Sequence, residues 1–303
     1  MTDWLRVAAV QMELRREPTL QGFRQHVEKL VDEAAAGAAE LVVFPEMSTT
    51  GLIATHSRVG AINRSNINEA YRDVFPALTD DIVAMFVEMA TAKGLWICGG
   101  SHWRLHADGS YRNTAYLAHP DGSVDSQDKL HLTWPEEAIG TQAGEWIEPF
   151  RVGAASVAIQ ICADVEFPEV TRAMALKGVD VVLCPSLTWN RRGANRVRYS
   201  CLARSVEQQV FVVQAPMVGT HGIPADGPLR GTGRALVTTP IDKAFGIDDG
   251  VLAEANVDGE TVIWGDLDLS QVRRSRLQSD TPGLRQGRPD LYERLMHDAV
   301  SQT

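Results

Sequence analysis

Three polar residues of the types used in covalent catalysis stand where predicted strands end. Glu46 closes the run LVVFPE, Lys129 lies in DSQDKLHL, and Cys162 closes VAIQIC. A thiol can attack an electrophilic carbon, a carboxylate can take the thiol proton, and an ammonium can stabilise negative charge that develops on the substrate. Together these residues permit nucleophilic catalysis in which the Cys162 sulfur forms a covalent intermediate.

Each of the three residues also has an ordinary structural explanation. Glutamates at strand ends often cap a turn, most lysines lie at the surface, and free cysteines are among the most buried residues. Cys98 and Cys184 lie inside apolar runs and are expected in the core. Cys201 lies in a predicted helix, a position that does not distinguish a core thiol from a reactive one. Taken singly, none of these residues establishes a site.

The reactivity of Cys162 depends on the residues that come after it in the chain. A helix is predicted to open at Phe167-Pro168-Glu169, so the thiol is expected near a helix N-terminus. The positive end of a helix dipole lowers the pKa of a nearby thiol. A catalytic Cys162 is therefore expected to react with alkylating reagents well below the ordinary thiol pKa of about 8.5.

The elements that must position these residues alternate between strands and helices. Short apolar runs predict strands at 4–12, 40–46, 95–103, 155–162, 179–186 and 210–216. Helical spacing predicts helices at 19–40, 75–94, 167–178 and 196–209. Pro120-Asp121-Gly122 predicts a hairpin within 111–129, and two more strands are predicted at 234–240 and 261–269. This order indicates a layered α/β fold with a mixed sheet, in which ligand sites lie at strand ends.

Composition limits the classes of function that fit this chain. The 303 residues include 29 basic and 39 acidic side chains, and the net charge of -10 disfavours nucleic acid and anionic membranes as partners. No apolar run approaches the roughly 20 residues of a membrane span, so we expect a soluble cytoplasmic protein. The four cysteines form no CxxC pair, which disfavours a zinc site and a disulfide framework. A small-molecule substrate fits this composition best.

The chain shows no internal repeat and no low-complexity linker, so a single domain over 1–303 is expected. Its last segment, 270–303, is charged. Two interpretations of that tail remain open, because it can pack on a neighbouring subunit or form a solvated extension.

The stretches around the three polar residues share a resemblance that covers nearly the whole chain. VVFPEMSTTG, DKLHLTWPEE and IQICADVEFPE occur in this order and resemble the signature stretches of the nitrilase superfamily of carbon-nitrogen hydrolases. The likeness extends from VAAVQM near the start to GDLDLSQVRRSR near the end. It implies a four-layer α-β-β-α sandwich, assembly into a homodimer or larger homo-oligomer, and a reaction without a metal or organic cofactor.

The resemblance also implies a role for each matching residue. Cys162 would be the nucleophile, Glu46 the general base, and Lys129 the group that stabilises negative charge on the substrate. The backbone N–H of Ala163 would be a second oxyanion donor. The amidase branch often has a glutamate eight positions after the lysine, which here is Glu137, so Glu137 is assigned to substrate positioning or proton handling.

Two departures from the family pattern lie beside the nucleophile. Ala163 stands where amidases commonly have an aromatic residue, and Glu166 stands where an arginine often precedes Phe-Pro-Glu. The small Ala163 is expected to widen the pocket, and Glu166 favours a neutral or amine-bearing substrate over an anionic one. The absence of a Trp-Glu pair directly after Cys162 favours an amidase over a true nitrilase. Alternatively, Glu166 pairs with an arginine from 191–198 and contacts no substrate. The motifs DVEFPE and GRPDLYERL most resemble the branch whose members are sometimes fused to an acetyltransferase domain.

Further residues after strand ends are candidates for the lining of a pocket. Trp134, Trp189 and Asn190 show this pattern, although ordinary packing is the simpler explanation for the tryptophans. His131 is expected to have a structural role, because the mechanism does not need it. The leading hypothesis is hydrolysis of a small amide through a cysteine thioester. The alternatives are a nitrilase, an acyltransferase, and a non-catalytic binding protein with the same fold.

Overall fold

The structure is a computed structural model that describes residues 3–279, 281 and 283–300. The first of two sheets contains β1 (Trp4–Glu13), β2 (Leu41–Val43), β3 (Trp96–Leu105), β4 (Tyr111–Ala118), β5 (Val124–Asp128) and β12 (Thr261–Asp268). Its spatial order is β12-β1-β2-β3-β4-β5, with parallel pairing among β1, β2 and β3 and antiparallel pairing elsewhere.

The second sheet repeats this arrangement with later parts of the chain. It contains β6 (Phe150–Val152), β7 (Ala155–Ile159), β8 (Val181–Ser186), β9 (Phe211–Val218), β10 (Leu236–Thr238) and β11 (Val251–Glu254). The spatial order is β6-β7-β8-β9-β10-β11, with β7, β8 and β9 parallel. The ends of β1 and β9 pair with each other, at Met12 with Met217 and Glu13 with Val218, and this joins the two sheets.

Helices cover the outer faces of both sheets. The helices are α1 (Leu20–Ala36), α2 (Ile67–Lys93), α3 (Trp134–Ala138), α4 (Pro168–Leu176), α5 (Arg191–Gln208), α6 (Leu269–Gln278) and α7 (Pro289–Val300). α1 and α2 pack on the first sheet, while α4 and α5 lie on the side of the second sheet. This is the α-β-β-α sandwich that the sequence predicts.

Strand alternation explains how one sheet serves two apolar layers. Leu5, Val7 and Ala9 of β1 belong to the core between the sheets, whereas Ala8 and Val10 pack beneath the helices. Successive side chains of a strand point to opposite faces, so a fully apolar strand is required at this position. The same requirement explains why the sequence shows continuous apolar runs here rather than alternating ones.

Several element boundaries differ from the prediction. α2 begins at Ile67 and passes through Pro76, where the prediction began at 75. Proline lacks the N–H that an interior helical position donates, but buried residues before and after it, Phe75 and Ile82, keep the helix packed on the core. α5 begins at Arg191, capped by the side chain of Asn190, rather than at 196. The stretch 133–149, predicted as loop, contains α3.

The C-terminal tail is largely helical. α6 buries Leu269 and Val272, and Arg273 pairs with the buried carboxylate of Asp180 at 2.6 Å. The first part of the tail therefore packs on its own chain and is not a solvated extension. Asp280, Pro282 and residues 301–303 of the tail lie outside the described residues. Within the described part of the chain, no helix combines the length and apolar character needed to cross a membrane.

Candidate active site

The ends of β2, β5 and β7 bring Glu46, Lys129 and Cys162 together. All three side chains line one cavity of about 570 Å³, although they are far apart in the chain. Pro45, just before Glu46, cannot donate to the sheet and ends the strand pairing at this point. β2 and β5 belong to the first sheet and β7 to the second, so strand ends from both sheets deliver the three groups to one cavity.

Lys129 lies at the centre of a buried charge cluster. Its Nζ is 2.7 Å from Glu46 Oε1 and 2.6 Å from Glu136 Oε2, and only 1% of the residue is exposed. Burial by itself disfavours the ammonium, but the charges of Glu46 and Glu136 outweigh it and raise the pKa of Lys129. The lysine is therefore a permanent cation in the cavity, suited to stabilise negative charge.

Glu46 is held by donors on both carboxylate oxygens. Lys129 Nζ and Asn113 Nδ2 donate to Oε1 at 2.7 Å and 3.0 Å, while the backbone N–H of Leu187 donates to Oε2 at 2.9 Å. Burial raises the pKa of Glu46, the nearby charge of Glu136 adds to this, and Lys129 opposes it. A carboxylate with a raised pKa is a stronger base than an ordinary glutamate, as proton abstraction from a thiol requires.

Cys162 begins a short 3-10 helix, Cys162–Glu166, in a left-handed backbone conformation with φ of 50°. A non-glycine residue in this region is strained by about 1–3 kcal/mol, and such strain is concentrated at functional sites. The Sγ lies 3.7 Å from the carbonyl oxygen of Leu187. The backbone of Leu187 thus contacts the thiol through its carbonyl and Glu46 through its N–H.

The pKa of Cys162 is raised, contrary to the prediction from sequence. Burial is the main cause, and the negative charge and hydrogen bonding of Glu46 add to it, while Lys129 acts in the opposite direction. α4 begins at Pro168, where the sequence predicts it, so burial of the thiol and not the helix boundary overturns the expectation. Burial and the charge of Glu46 therefore favour the neutral thiol over the thiolate.

Glu136, not Glu137, contacts the lysine. Glu136 Oε2 accepts from Thr133 N at 2.9 Å and from Thr133 Oγ1 at 2.7 Å, which turns the carboxylate back toward Lys129. Glu137 is exposed and absent from the cavity lining, so its assignment from the family spacing was wrong. The signal that identifies Glu136 is present in the sequence, because Thr133 and Glu136 form the T-x-x-E pattern of a helix capping box.

Asp164 connects the turn at the nucleophile to the loop after Lys129. Its buried carboxylate accepts from the backbone N–H groups of Leu130, His131 and Ile161 at 2.7–3.1 Å. It also contacts His131 Nδ1 at 3.0 Å, and the His131 ring stacks on Phe167 with 3.6 Å between centroids. His131 is thus held as a structural residue, while sequence reasoning missed the role of Asp164.

The remaining candidates surround the cavity. The lining includes Ala163, Glu166, Trp134, Trp189 and Asn190. Trp134 is 79% exposed, so core packing does not explain it, and Trp189 is also at the surface. The Asn190 side chain accepts from Gly193 N at 3.0 Å and so caps α5 while lining the cavity.

Glu166 forms the ion pair that the sequence left open as an alternative. Its Oε2 lies 3.2 Å from Nε of Arg196, which also lines the cavity. The Arg196 side chain is largely exposed, so solvent weakens this pair. The pairing does not remove Glu166 from the cavity, and both charges remain within reach of a ligand at the entrance.

The rest of the lining is mainly apolar, with Ile67, Tyr71, Ile139, Leu187 and Leu229 among its residues. Apolar walls with a few polar groups are typical of sites for small organic molecules. Among residues 3–279, 281 and 283–300, no cluster of His, Cys, Asp and Glu has a geometry suited to a metal ion. The polar groups of the cavity include a thiol, carboxylates and an ammonium.

Comparison with the sequences of known proteins identifies relatives of this chain. The chain is 33% identical over 290 residues to a probable hydrolase, YhcX, of Bacillus subtilis, covering 95% of this chain and 54% of that protein. The chain therefore spans about half the length of that relative. It is also 28% identical to a nitrilase of Pyrococcus abyssi, covering 88% of this chain and 91% of the nitrilase.

Solved structures show the same fold at lower identity. A carbon-nitrogen hydrolase from Helicobacter pylori superposes with a TM-score of 0.80 at 20% identity, covering 97% of this chain and 98% of that one. A mutant amidase from Nesterenkonia sp. AN1, with acrylamide added at its active-site cysteine, has a TM-score of 0.74 at 21% identity. The coverage is 96% of this chain and 99% of the amidase.

The family model for carbon-nitrogen hydrolases matches residues 6–277, a span that contains all three sheet-end residues of the cavity. Most of the chain is therefore accounted for by one family, and the cavity lies within the matched part. The chain belongs to the carbon-nitrogen hydrolase family, in the nitrilase superfamily.

Proposed function

We propose that this protein hydrolyses the carbon–nitrogen bond of a small amide through a thioester on Cys162. The observation that carries the proposal is the buried contact of Lys129 with Glu46 in the same cavity as the Cys162 thiol. A nucleophile, a base and a fixed cation in one cavity are the groups that acyl transfer from an amide requires. Burying these charges is unfavourable for folding alone, so a functional reason for them is expected.

The first half of the reaction forms the thioester. Glu46 takes the proton of Cys162 as the sulfur bonds to the amide carbon. The carbonyl oxygen becomes negative, and Lys129 with the backbone N–H of Ala163 stabilises it. Glu46 then gives the proton to the amide nitrogen, the carbon–nitrogen bond breaks, and ammonia or an amine leaves.

The second half regenerates the enzyme. Water enters where the amine left, and Glu46 takes one of its protons while the oxygen attacks the thioester carbon. The carbon–sulfur bond breaks, the proton returns to the Cys162 sulfur, and a carboxylic acid is released. Each proton that Glu46 takes is returned, so the cycle balances with water as the only second reactant.

The relatives support this chemistry. One carries a covalent acrylamide adduct at its active-site cysteine. Others are named as amidases, among them an (R)-stereoselective amidase of Pseudomonas at 26% identity. An amidase is preferred to a nitrilase because no Trp-Glu pair follows Cys162 directly, although the Pyrococcus relative keeps the nitrilase alternative open. Transfer of the acyl group to an acceptor other than water uses the same intermediate.

The substrate proposed is a small neutral or amine-bearing amide. A cavity of about 570 Å³ with mainly apolar walls admits an acyl group much larger than acetyl. Glu166 at the entrance supplies a carboxylate for an ammonium, although Arg196 beside it partly offsets the charge. A homodimer or larger assembly and a cytoplasmic location are also proposed, and four buried free thiols are in keeping with a reducing compartment.

The test is ammonia release from a panel of small amides, carbamoyl amines and nitriles, with intact mass measured in parallel. Cys162→Ala should abolish release and the covalent acyl adduct. Cys98→Ala is the matched control, because Cys98 is a buried thiol outside the cavity and should leave both unchanged. Release that persists in folded Cys162→Ala would overturn the mechanism. Adduct formation with no more than one equivalent of ammonia or amine released per protein would favour acyl transfer to another acceptor. Neither adduct nor release would favour a binding role.

A further inference from the structure

Asn113 of β4 connects the two carboxylates of the cavity. Its Nδ2 donates to Glu46 Oε1 at 3.0 Å and to Glu136 Oε1 at 2.9 Å. Lys129 Nζ contacts the same two glutamates from another side. The four side chains therefore form a closed ring of charge-assisted hydrogen bonds in which Asn113 is the neutral member.

The orientation of the Asn113 amide is set by its neighbours. Both Nδ2 protons are used, one for each carboxylate, and the opposite orientation would turn Oδ1 toward two negative groups. In the observed orientation Oδ1 is buried without a hydrogen-bond partner among the described residues. An unpaired buried oxygen is unfavourable for folding, so stability alone does not explain an asparagine at this position.

The ring decides which oxygen of Glu46 acts as the base. Oε1 already accepts from Lys129 and Asn113, whereas among the described residues Oε2 has one N–H donor, the backbone of Leu187. The Cys162 thiol also hydrogen-bonds to the Glu46 carboxylate. The carbonyl of the same Leu187 contacts the Cys162 sulfur at 3.7 Å, so Oε2 lies on the side of the thiol. Oε2 therefore has the free lone pair with which to accept the thiol proton.

We infer that Asn113 is a positioning residue that keeps Glu46 and Glu136 ionised together and directs Glu46 Oε2 toward Cys162. Two carboxylates that share one lysine repel each other, and a neutral double donor between them lowers that repulsion. Glu46 and Glu136 then act as a coupled pair, which takes up its first proton at a pH set partly by Asn113.

The experiment replaces the Asn113 donors without changing the shape of the side chain. Asn113→Leu removes both N–H groups, and Asn113→Asp exchanges them for a third carboxylate. We expect the acidic limb of kcat/KM to move to higher pH in both variants, further in Asn113→Asp. At a fixed pH near 7, kcat/KM should fall by about 10- to 100-fold, the size expected when a charged group loses a hydrogen bond.

A second measurement needs no substrate. The assignment rests on the proposed amide hydrolysis, but alkylation of Cys162 by iodoacetamide requires only that Glu46 accept the thiol proton. The pH at which alkylation begins should rise in both variants. Failure to find any substrate would therefore leave this test intact, so the two proposals can fail separately.

Thr114→Val is the matched control, because Thr114 is equally buried on the same strand and donates to Asp128 at 2.6 Å. It should keep the wild-type pH profile. If Asn113→Leu does not fold, Asn113→Asp alone carries the test, with folding followed by thermal unfolding. A folded Asn113 variant with the wild-type acidic limb and alkylation profile would overturn the assignment.

Discussion

The ammonium of Lys129 lies 2.7 Å from the carboxylate of Glu46, and both residues are almost completely buried. Isolated charges of this kind are strongly unfavourable inside a protein, but a well-paired ion contact keeps both ionised. The same contact stabilises the ammonium of Lys129 and affects the pKa of Glu46. Folding and the chemistry of the site therefore depend on one pair of residues.

Removal of Lys129 is expected to destabilise the fold as well as abolish turnover. Lys129→Met leaves Glu46 and Glu136 buried without their shared cation, and the free energy of unfolding should fall by about 3–5 kcal/mol. The double variant Lys129→Met with Glu46→Gln should be less destabilised than the sum of the two single variants. Urea unfolding of the four proteins measures this coupling, and strict additivity would contradict it.

The raised pKa of Cys162 predicts a slowly reacting thiol in the resting enzyme. Iodoacetamide should modify Cys162 more slowly at neutral pH than it modifies a small free thiol, because the neutral form predominates. Glu46→Gln removes the base and should slow the reaction further. Intact mass measures the alkylation. Rapid alkylation of the wild type near pH 6 would indicate a Cys162 thiolate stabilised by an ion pair, which the structure does not support.

Glu136 and Glu137 form a natural matched pair for mutagenesis. Glu136→Gln loses a charged contact with Lys129, so kcat/KM should fall by about 10- to 100-fold. Because the charge of Glu136 raises the pKa of Glu46, its removal should also move the acidic limb of kcat/KM to lower pH. Glu137→Gln should resemble wild type. Equal losses in both variants would place the catalytic role elsewhere on α3.

The ion pair of Glu166 with Arg196 predicts how the enzyme distinguishes substrates by charge. Glu166→Gln should raise KM for amine-bearing amides by about 2- to 10-fold, the modest size of an exposed charge interaction. Neutral amides of the same length should be unaffected, which makes them the internal control. A uniform change for both classes would show that Glu166 shapes the entrance without recognising charge.

A buried histidine far from the cavity makes stability depend on pH. His26 contacts Glu17 at 2.9 Å and Glu260 at 2.5 Å; burial opposes its charge, but these carboxylates raise its pKa above 6.5. Stabilisation by the charged His26 is fully present below about pH 6.5, the unfolded value, and is lost as pH rises through the higher folded pKa. His26→Gln should flatten this decline, measured by thermal unfolding at pH values above about 6.5.

The strand–helix alternation and the three catalytic candidates were predictable from sequence because both depend on local information. Apolar runs report burial on two faces, and each signature stretch lies within about ten neighbouring residues. The boundaries of α2 and α5 were harder to predict from the sequence. The predicted helix begins at 75, one residue before Pro76, and only the burial of residues on either side of that proline shows that the helix extends back to Ile67.

The sequence by itself determined which residue types reach the cavity, since a strand end delivers its next polar side chain to a defined edge of the sheet. The tertiary structure alone decided their chemistry. The pKa of Cys162 rises because Glu46, distant in the chain, lies beside it in a buried site, and Asn113 matters because β4 runs past both glutamates. Burial and electrostatic interactions depend on all the residues that lie near a group in space. These residues cannot be identified from the group's neighbours in the sequence.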